Sequence, residues 1–132
     1  ICDAAVVRVM SNTPVLVDEA MSVISPGRRA AEEHLRRAEQ LFRSVGKVLR
    51  IPESQQDAAT ALSGSGPAYV YFLVEAMVDA GILLGMPRST ALEMVKQAVY
   101  GAATMLRIEK LRSASAVDST RTKSSKQSRV RV

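Results

Sequence analysis

One stretch limits what this chain can fold into. Residues 61–88 read Ala-Leu-Ser-Gly-Ser-Gly-Pro-Ala-Tyr-Val-Tyr-Phe-Leu-Val-Glu-Ala-Met-Val-Asp-Ala-Gly-Ile-Leu-Leu-Gly-Met-Pro-Arg. A small-residue loop opens it, and a long apolar helix with start and stop signals follows. Ser65 suits an N-cap, and Pro67 suits the first turn, where its missing N–H has no intrahelical partner. Gly85 stands where a left-handed residue ends a helix, and Pro87 blocks continuation. Between these ends only Glu75 and Asp79 are charged, four apart and so on one face. A helix this apolar needs cover on most sides. A bilayer is the least favoured cover, because two mid-helix carboxylates would each cost about 2.5–3.5 kcal/mol on insertion scales. The expected setting is the core of a soluble domain that also faces a second subunit.

The chain has 132 residues, enough for one domain or parts of two. It starts at Ile1, which suggests a fragment, and shows no secretory leader. Cys2 is the single cysteine and cannot form an internal disulfide, which fits a reducing, cytoplasmic setting. His34 has no Cys or His companions at ligand spacing, so no metal site is expected. The net charge of +5 is local. Residues 107–132 hold eight Lys/Arg against two Asp/Glu, and the remainder is near neutral. From residue 113 onward the composition is Ser, Thr, Lys and Arg without apolar period, and a disordered tail is expected. It has no aromatic residue for base stacking, and nucleic acid is not the expected partner.

Before the central stretch, residues 4–10 are rich in β-branched residues and read as a strand, which Ser11, Asn12, Thr13 and Pro14 break. Residues 15–17 and 21–25 are further strand candidates. Residues 28–45 read as an amphipathic helix with an apolar stripe at Ala31, Leu35, Ala38, Phe42 and Val45. Glu32–Arg36, Glu33–Arg37 and Glu39–Arg43 make its solvent face, and His34 reads as an exposed residue. Residues 47–51 read as a strand. Strand, helix and strand over residues 21–51 have the length of a parallel crossover at the edge of a doubly wound sheet. From residue 53 the chain turns helical. Thr90 and Glu93 form a capping-box pattern that opens a third helix to about Leu106, and Gly101 offers a site of close backbone approach.

Chemistry is sparse. Gly64-Ser65-Gly66 ahead of a helix offers backbone N–H groups to an anion, or simply a helix cap where chains pack closely. Asn12 and Thr13 after a strand suit either a turn or ligand contact. No Ser/His/Asp set, reachable carboxylate pair or Cys/His set emerges, and no catalytic residue is assigned. These residues alone stop at a helical domain attached to a piece of an α/β domain.

Two motifs go further. Arg8-Val-Met-Ser-Asn-Thr-Pro14 resembles the R-V-M-P-N-T-P segment of pyrroline-5-carboxylate reductases, departing at Ser11. The run from Ala61 to Tyr69, with Glu75-Ala and the Gly-x3-Gly-x-Pro-Arg run ending at Arg88, resembles that family's helical-domain signature. The resemblance implies an α+β fragment, mainly α-helical: the edge of a doubly wound α/β domain (1–52), a helical dimerisation domain (53–106) and the basic tail (107–132). It implies an oxidoreductase of proline biosynthesis that reduces 1-pyrroline-5-carboxylate with NADP or NAD and self-associates through the helical domain. Asn12, Thr13 and Pro14 would lie near the nicotinamide. Ser63, Gly64, Ser65, Gly66 and Pro67 would line the substrate pocket. Two family features are absent from the 132 residues: the G-x-G-x-x-G fingerprint and a T-S-P-G-G-T-T-like anion loop. The chain is therefore expected to be a truncated or frame-altered piece, inactive alone. The rival expectation is a non-catalytic dimerisation or interaction module derived from the family.

Overall fold

The computed structural model describes the backbone of residues 4–127 and the side chains of residues 4–108. Cys2 and the last five residues of the basic tail lie outside the described residues. The chain groups into two compact units that divide between Leu73 and Val74.

In the first unit, β1 (Val7–Met10), β2 (Ala20–Pro26) and β3 (Gly46–Arg50) form a sheet in that order. β1 pairs antiparallel with β2, Val7 opposite Pro26. β3 pairs parallel with β2, Ala20 opposite Gly46, and α1 (Glu32–Arg43) makes the expected crossover. β2 is the buried strand: Ala20, Val23 and Ile24 are its apolar core, beside Ser22 and Ser25. A middle strand buried on both faces is the reason its sequence does not alternate cleanly. Gly46 is required where β3 starts. Its φ is +150°, and a Cβ there would run into the Ala20 backbone.

Residues 15–17 are not a strand. Thr13–Val17 is a 3-10 turn with Pro14 in its first positions and Asp18 left-handed at its end. An apolar run of three residues directly after proline is too short to decide between the two.

Two of the three i,i+4 pairs expected on α1 form, Glu32–Arg36 at 3.2 Å and Glu39–Arg43 at 3.0 Å. The same carboxylates also receive Arg50 from β3, at 2.8 Å from Glu32 and 2.7 Å from Glu39. The face read as plain solvent surface therefore ties the crossover helix to the sheet edge. His34 is engaged as well, its Nδ1 accepting the Ala31 N–H at 3.0 Å at the start of α1.

The Arg50 guanidinium, followed for Glu32 by Arg36, holds both carboxyls below their usual range, and Arg50 itself is pushed up. Depressed carboxyl values give stability that is present above the unfolded value of about 4.3 and lost as pH falls through the folded values. Arg50→Met is expected to lower the melting temperature by a few degrees at about pH 7. The difference from the parent should close as pH falls below about 4. Thermal melts across that range measure it, and a gap that persists in acid would show that Arg50 acts through packing instead.

After Pro52 come a 3-10 turn (Glu53–Gln55), α2 (Gln56–Ala59) and a π-helical turn (Thr60–Gly64). α3 (Gly66–Leu83) follows, with Pro67 as its second residue. Gly85 is left-handed at φ +90°, as its place before Pro87 suggests. α3 buries only Val78; Phe72 is 80% exposed and Leu83 87%. By length and composition the run Glu53–Leu83 is also able to cross a bilayer.

In the second unit, Val78 packs with Ala91 and Val95, flanked by Val74, Leu92 and Val99. Close approach comes at Gly81, where a Cβ would meet the Ala91 methyl at 3.0 Å. Gly101, proposed for that role from sequence, has open space around it. α4 (Arg88–Gln127) starts two residues ahead of Thr90, the Ala91 N–H reaching the Pro87 carbonyl at 3.0 Å. Thr90 is thus inside the helix, not its cap. The helix also passes Leu106 into the segment expected to be irregular. No Gly or Pro follows Gly101 to stop it.

Candidate functional site

The site is built at the end of β1. Asn12 sits between β1 and the Thr13–Val17 turn, and its amide is used at both ends. Its Oδ1 accepts the Met21 N–H at 2.9 Å, which fixes the start of β2. Its Nδ2 donates to the Ser63 carbonyl at 3.1 Å, with Ser63 Oγ at 3.5 Å. One short side chain thereby joins a strand end to the π-helical turn 51 residues further on. Ser11, at the position where the resembling motif carries proline, shares a 2.9 Å hydrogen bond with the buried Ser22 hydroxyl.

The π-helical turn is close to Met10. A Cβ on Gly64 would lie 3.2 Å from Met10 Sδ and 3.3 Å from Thr60 Cγ2, a tight fit that those side chains would have to yield to. The Ser65 N–H donates to the Thr60 carbonyl at 2.8 Å. That bond closes the turn. It also takes one of the backbone donors that the Gly64-Ser65-Gly66 pattern offered to an anion, so the anion cradle read from the sequence is depleted.

What remains is an open cleft of about 710 Å³, lined by Asn12, Pro14, Leu62, Ser63, Gly66, Pro67, Tyr69, Val70 and Tyr71. It brings together five of the eight residues singled out from sequence: Asn12, Pro14, Ser63, Gly66 and Pro67. Thr13, Gly64 and Ser65 do not line it. Thr13 is exposed in the 3-10 turn, while Gly64 lies close to Met10 and Thr60, and the Ser65 N–H is bonded to Thr60. Leu62, Tyr69, Val70 and Tyr71 were not anticipated as site residues. The available signal was two tyrosines in the opening turns of an apolar helix, since a phenol is placed where its hydroxyl reaches something polar.

No charged side chain lines the cleft, and the groups whose protonation the fold shifts lie elsewhere. Arg88 is one of them. It meets Glu75 at 2.8 Å and Asp79 at 3.6 Å, and its pKa is raised, chiefly by the Glu75 hydrogen bond. The two charges of α3 are thus partnered by the first residue of α4. Among the described residues no group of three metal-ligating side chains occurs.

A cofactor meets this cleft only in part. Its apolar walls and few polar groups suit a flat, neutral ring with a carboxamide, such as the nicotinamide end of a dinucleotide. Nothing in it suits a pyrophosphate, which requires a Gly-rich turn at a helix start or cationic partners.

The fold defines a class: the edge of a doubly wound sheet running into a helical dimerisation domain. A family model for pyrroline-5-carboxylate reductase dimerisation matches residues 53–125, and the chain belongs to that family. A pyrroline-5-carboxylate reductase of Corynebacterium melassecola is 47% identical over 102 residues, 77% of this chain and 38% of the relative. One of Arabidopsis thaliana is 50% identical over 100 residues, 76% of this chain and 36% of the relative. The chain thus spans little more than a third of these curated relatives. Among solved structures, Plasmodium falciparum pyrroline carboxylate reductase with NADP bound matches with a TM-score of 0.76 and 29% identity. That match covers 96% of this chain and 56% of the other. The Streptococcus pyogenes 1-pyrroline-5-carboxylate reductase matches with a TM-score of 0.77 and 33% identity, covering 80% and 40%.

Proposed function

We propose that this chain is the joint segment of an NAD(P)H-dependent pyrroline-5-carboxylate reductase, contributing one wall of the active site and the surface for self-association. In this reading residues 1–52 close the nucleotide-binding domain and residues 53–106 belong to the dimerisation domain. The setting is cytoplasmic.

The observation that carries the reading is the Asn12 amide. It holds the two segments that bear the family motifs against each other, at 3.1 Å from Ser63, so that both face one uncharged cleft. Asn12, Thr13 and Pro14 are assigned to the nicotinamide side. Ser63 to Pro67 are assigned to the substrate side. The cofactor, when bound, supplies the hydride that adds to the carbon of the substrate C=N bond. This chain's residues orient and shield. The iminium nitrogen already carries its proton, so no side chain here has to donate one, which suits a cleft without an acid or a base. Pro14, Pro67 and Val70 give the reacting carbon an apolar wall on this chain's side of the cleft.

The rival, a dimerisation module without chemistry, is separated by a chimera. The matched 100 residues of the Arabidopsis thaliana relative are replaced by those of this chain. The chimera is expected to oxidise NADPH, followed at 340 nm, only when 1-pyrroline-5-carboxylate is present. A folded, dimeric chimera without turnover would favour the module.

A further inference from the structure

We propose that Gln56 is a positioning residue for the cleft, setting from the far end of β2 where the π-helical turn delivers Ser63 to Asn12. This rests on the reading of the cleft as the functional site. Gln56 is only 1% exposed, yet it is polar and lies 31 residues from its partner. Its Nε2 donates to Ser25 Oγ at 2.6 Å, and Ser25 Oγ in turn donates to the Ile51 carbonyl at 2.8 Å. The Gln56 main-chain carbonyl accepts the Thr60 hydroxyl at 2.9 Å, and the Thr60 main-chain carbonyl accepts the Ser65 N–H at 2.8 Å.

With Asn12, these bonds make a closed circuit. β2 holds the continuous α2 and π-helical segment twice: Ser25 through Gln56 in α2, and Met21 through Asn12 and Ser63 in the π-helical turn. Gln56 and Ser63 are seven residues apart, about 10 Å along a helix, so a small rotation at Gln56 moves Ser63 appreciably. Ser63 Oγ already lies at the limit of bonding distance from Asn12.

Stability alone does not recommend this side chain. Gln56 Oε1 is buried and has no partner among the described residues. A buried amide with one end unmet is a poor choice for holding a helix down, whereas an apolar side chain of the same shape carries no such penalty. What the amide adds is a direction, because its N–H can be met only with the turn in one rotation.

Gln56→Met keeps length and volume while removing that direction. In the full 132-residue chain it should leave the melting temperature unchanged or raised. Meanwhile the Asn12 side-chain amide, which Gln56 does not touch, should loosen. Its side-chain nitrogen order parameter should fall clearly below that of the parent chain. If Gln56→Met unfolds, Gln56→Leu, which leaves Ser25 donating to the Ile51 carbonyl, gives the same readout. An unchanged Asn12 amide, or a large loss of melting temperature in both variants, overturns the proposal. In the chimera described above, the same substitution should lower kcat about tenfold or more with melting temperature held. A chimera with no activity at all would sink the reductase reading, and the Asn12 amide would still decide the role of Gln56.

Discussion

Replacing Phe72 with Asp is expected to turn a self-associating chain into a monomer without disturbing its fold. Phe72 is 80% exposed on the single chain, so the substitution removes little internal contact. Tyr69, Tyr71, Leu73 and Leu83 are exposed on the same helix, and only Val78 is buried. Leaving such side chains in water forgoes about 1.5–3 kcal/mol for each that a partner would fully cover. The family model matching this helix is a dimerisation domain, which makes a second copy the expected cover. An unpaired charge placed in that contact costs roughly 3–5 kcal/mol, which weakens association by about two to four decades. Sedimentation equilibrium with circular dichroism measures both halves of the expectation. Retained dimer mass with an intact spectrum would move the contact to another face of α3, and persistent binding to lipid vesicles would point to a bilayer instead.

The parts of the fold that the sequence made legible are those with local causes. The β2–α1–β3 crossover follows from its length, and the stop after α3 follows from Gly85 and Pro87, whose backbone needs are their own. The parts it hid depend on partners distant in the chain. Arg50 reads as an alternating strand residue, yet it closes on Glu32 and Glu39 of the preceding helix. Asn12 reads as a turn former, and it is one, but its donor goes to Ser63. Thr90 and Glu93 spell a capping box, and the helix starts earlier because Pro87 already presents a free carbonyl and a fixed φ.

At the site the same division holds. The two motifs marked Asn12, Pro14, Ser63, Gly66 and Pro67, while the π-helical turn has no sequence signature. The loop reads in sequence as either an anion cradle or a helix cap, and the turn ties up the Ser65 N–H and leaves Ser63 and Gly66 lining the cleft. Pockets assembled from residues 51 positions apart are visible only once the bond between them is.

The 132-residue chain by itself is expected to show no turnover of 1-pyrroline-5-carboxylate. Hydride transfer needs the donor and acceptor carbons held about 3–3.5 Å apart, which requires both reactants to be anchored. The dinucleotide is ordinarily held through its pyrophosphate on a Gly-rich turn at a helix start. The sequence contains no G-x-G-x-x-G, and the cleft has no charged side chain to replace it. Asn12 has one N–H and one lone pair left after its bonds to Ser63 and Met21. The phenols of Tyr69 and Tyr71 add two more groups. Four hydrogen bonds at roughly 0.5–1.5 kcal/mol each sum to about 2–6 kcal/mol, which stays short of micromolar affinity. Micromolar binding would need about 8 kcal/mol. A substrate carboxylate also has one anchor fewer, since the backbone donor that Ser65 would have offered is spent on Thr60. NADPH oxidation at 340 nm with substrate in excess should therefore match the protein-free control, and a titration of NADPH fluorescence should not saturate in the micromolar range. Turnover above control, or micromolar cofactor binding, would show that the chain carries a dinucleotide site outside this cleft.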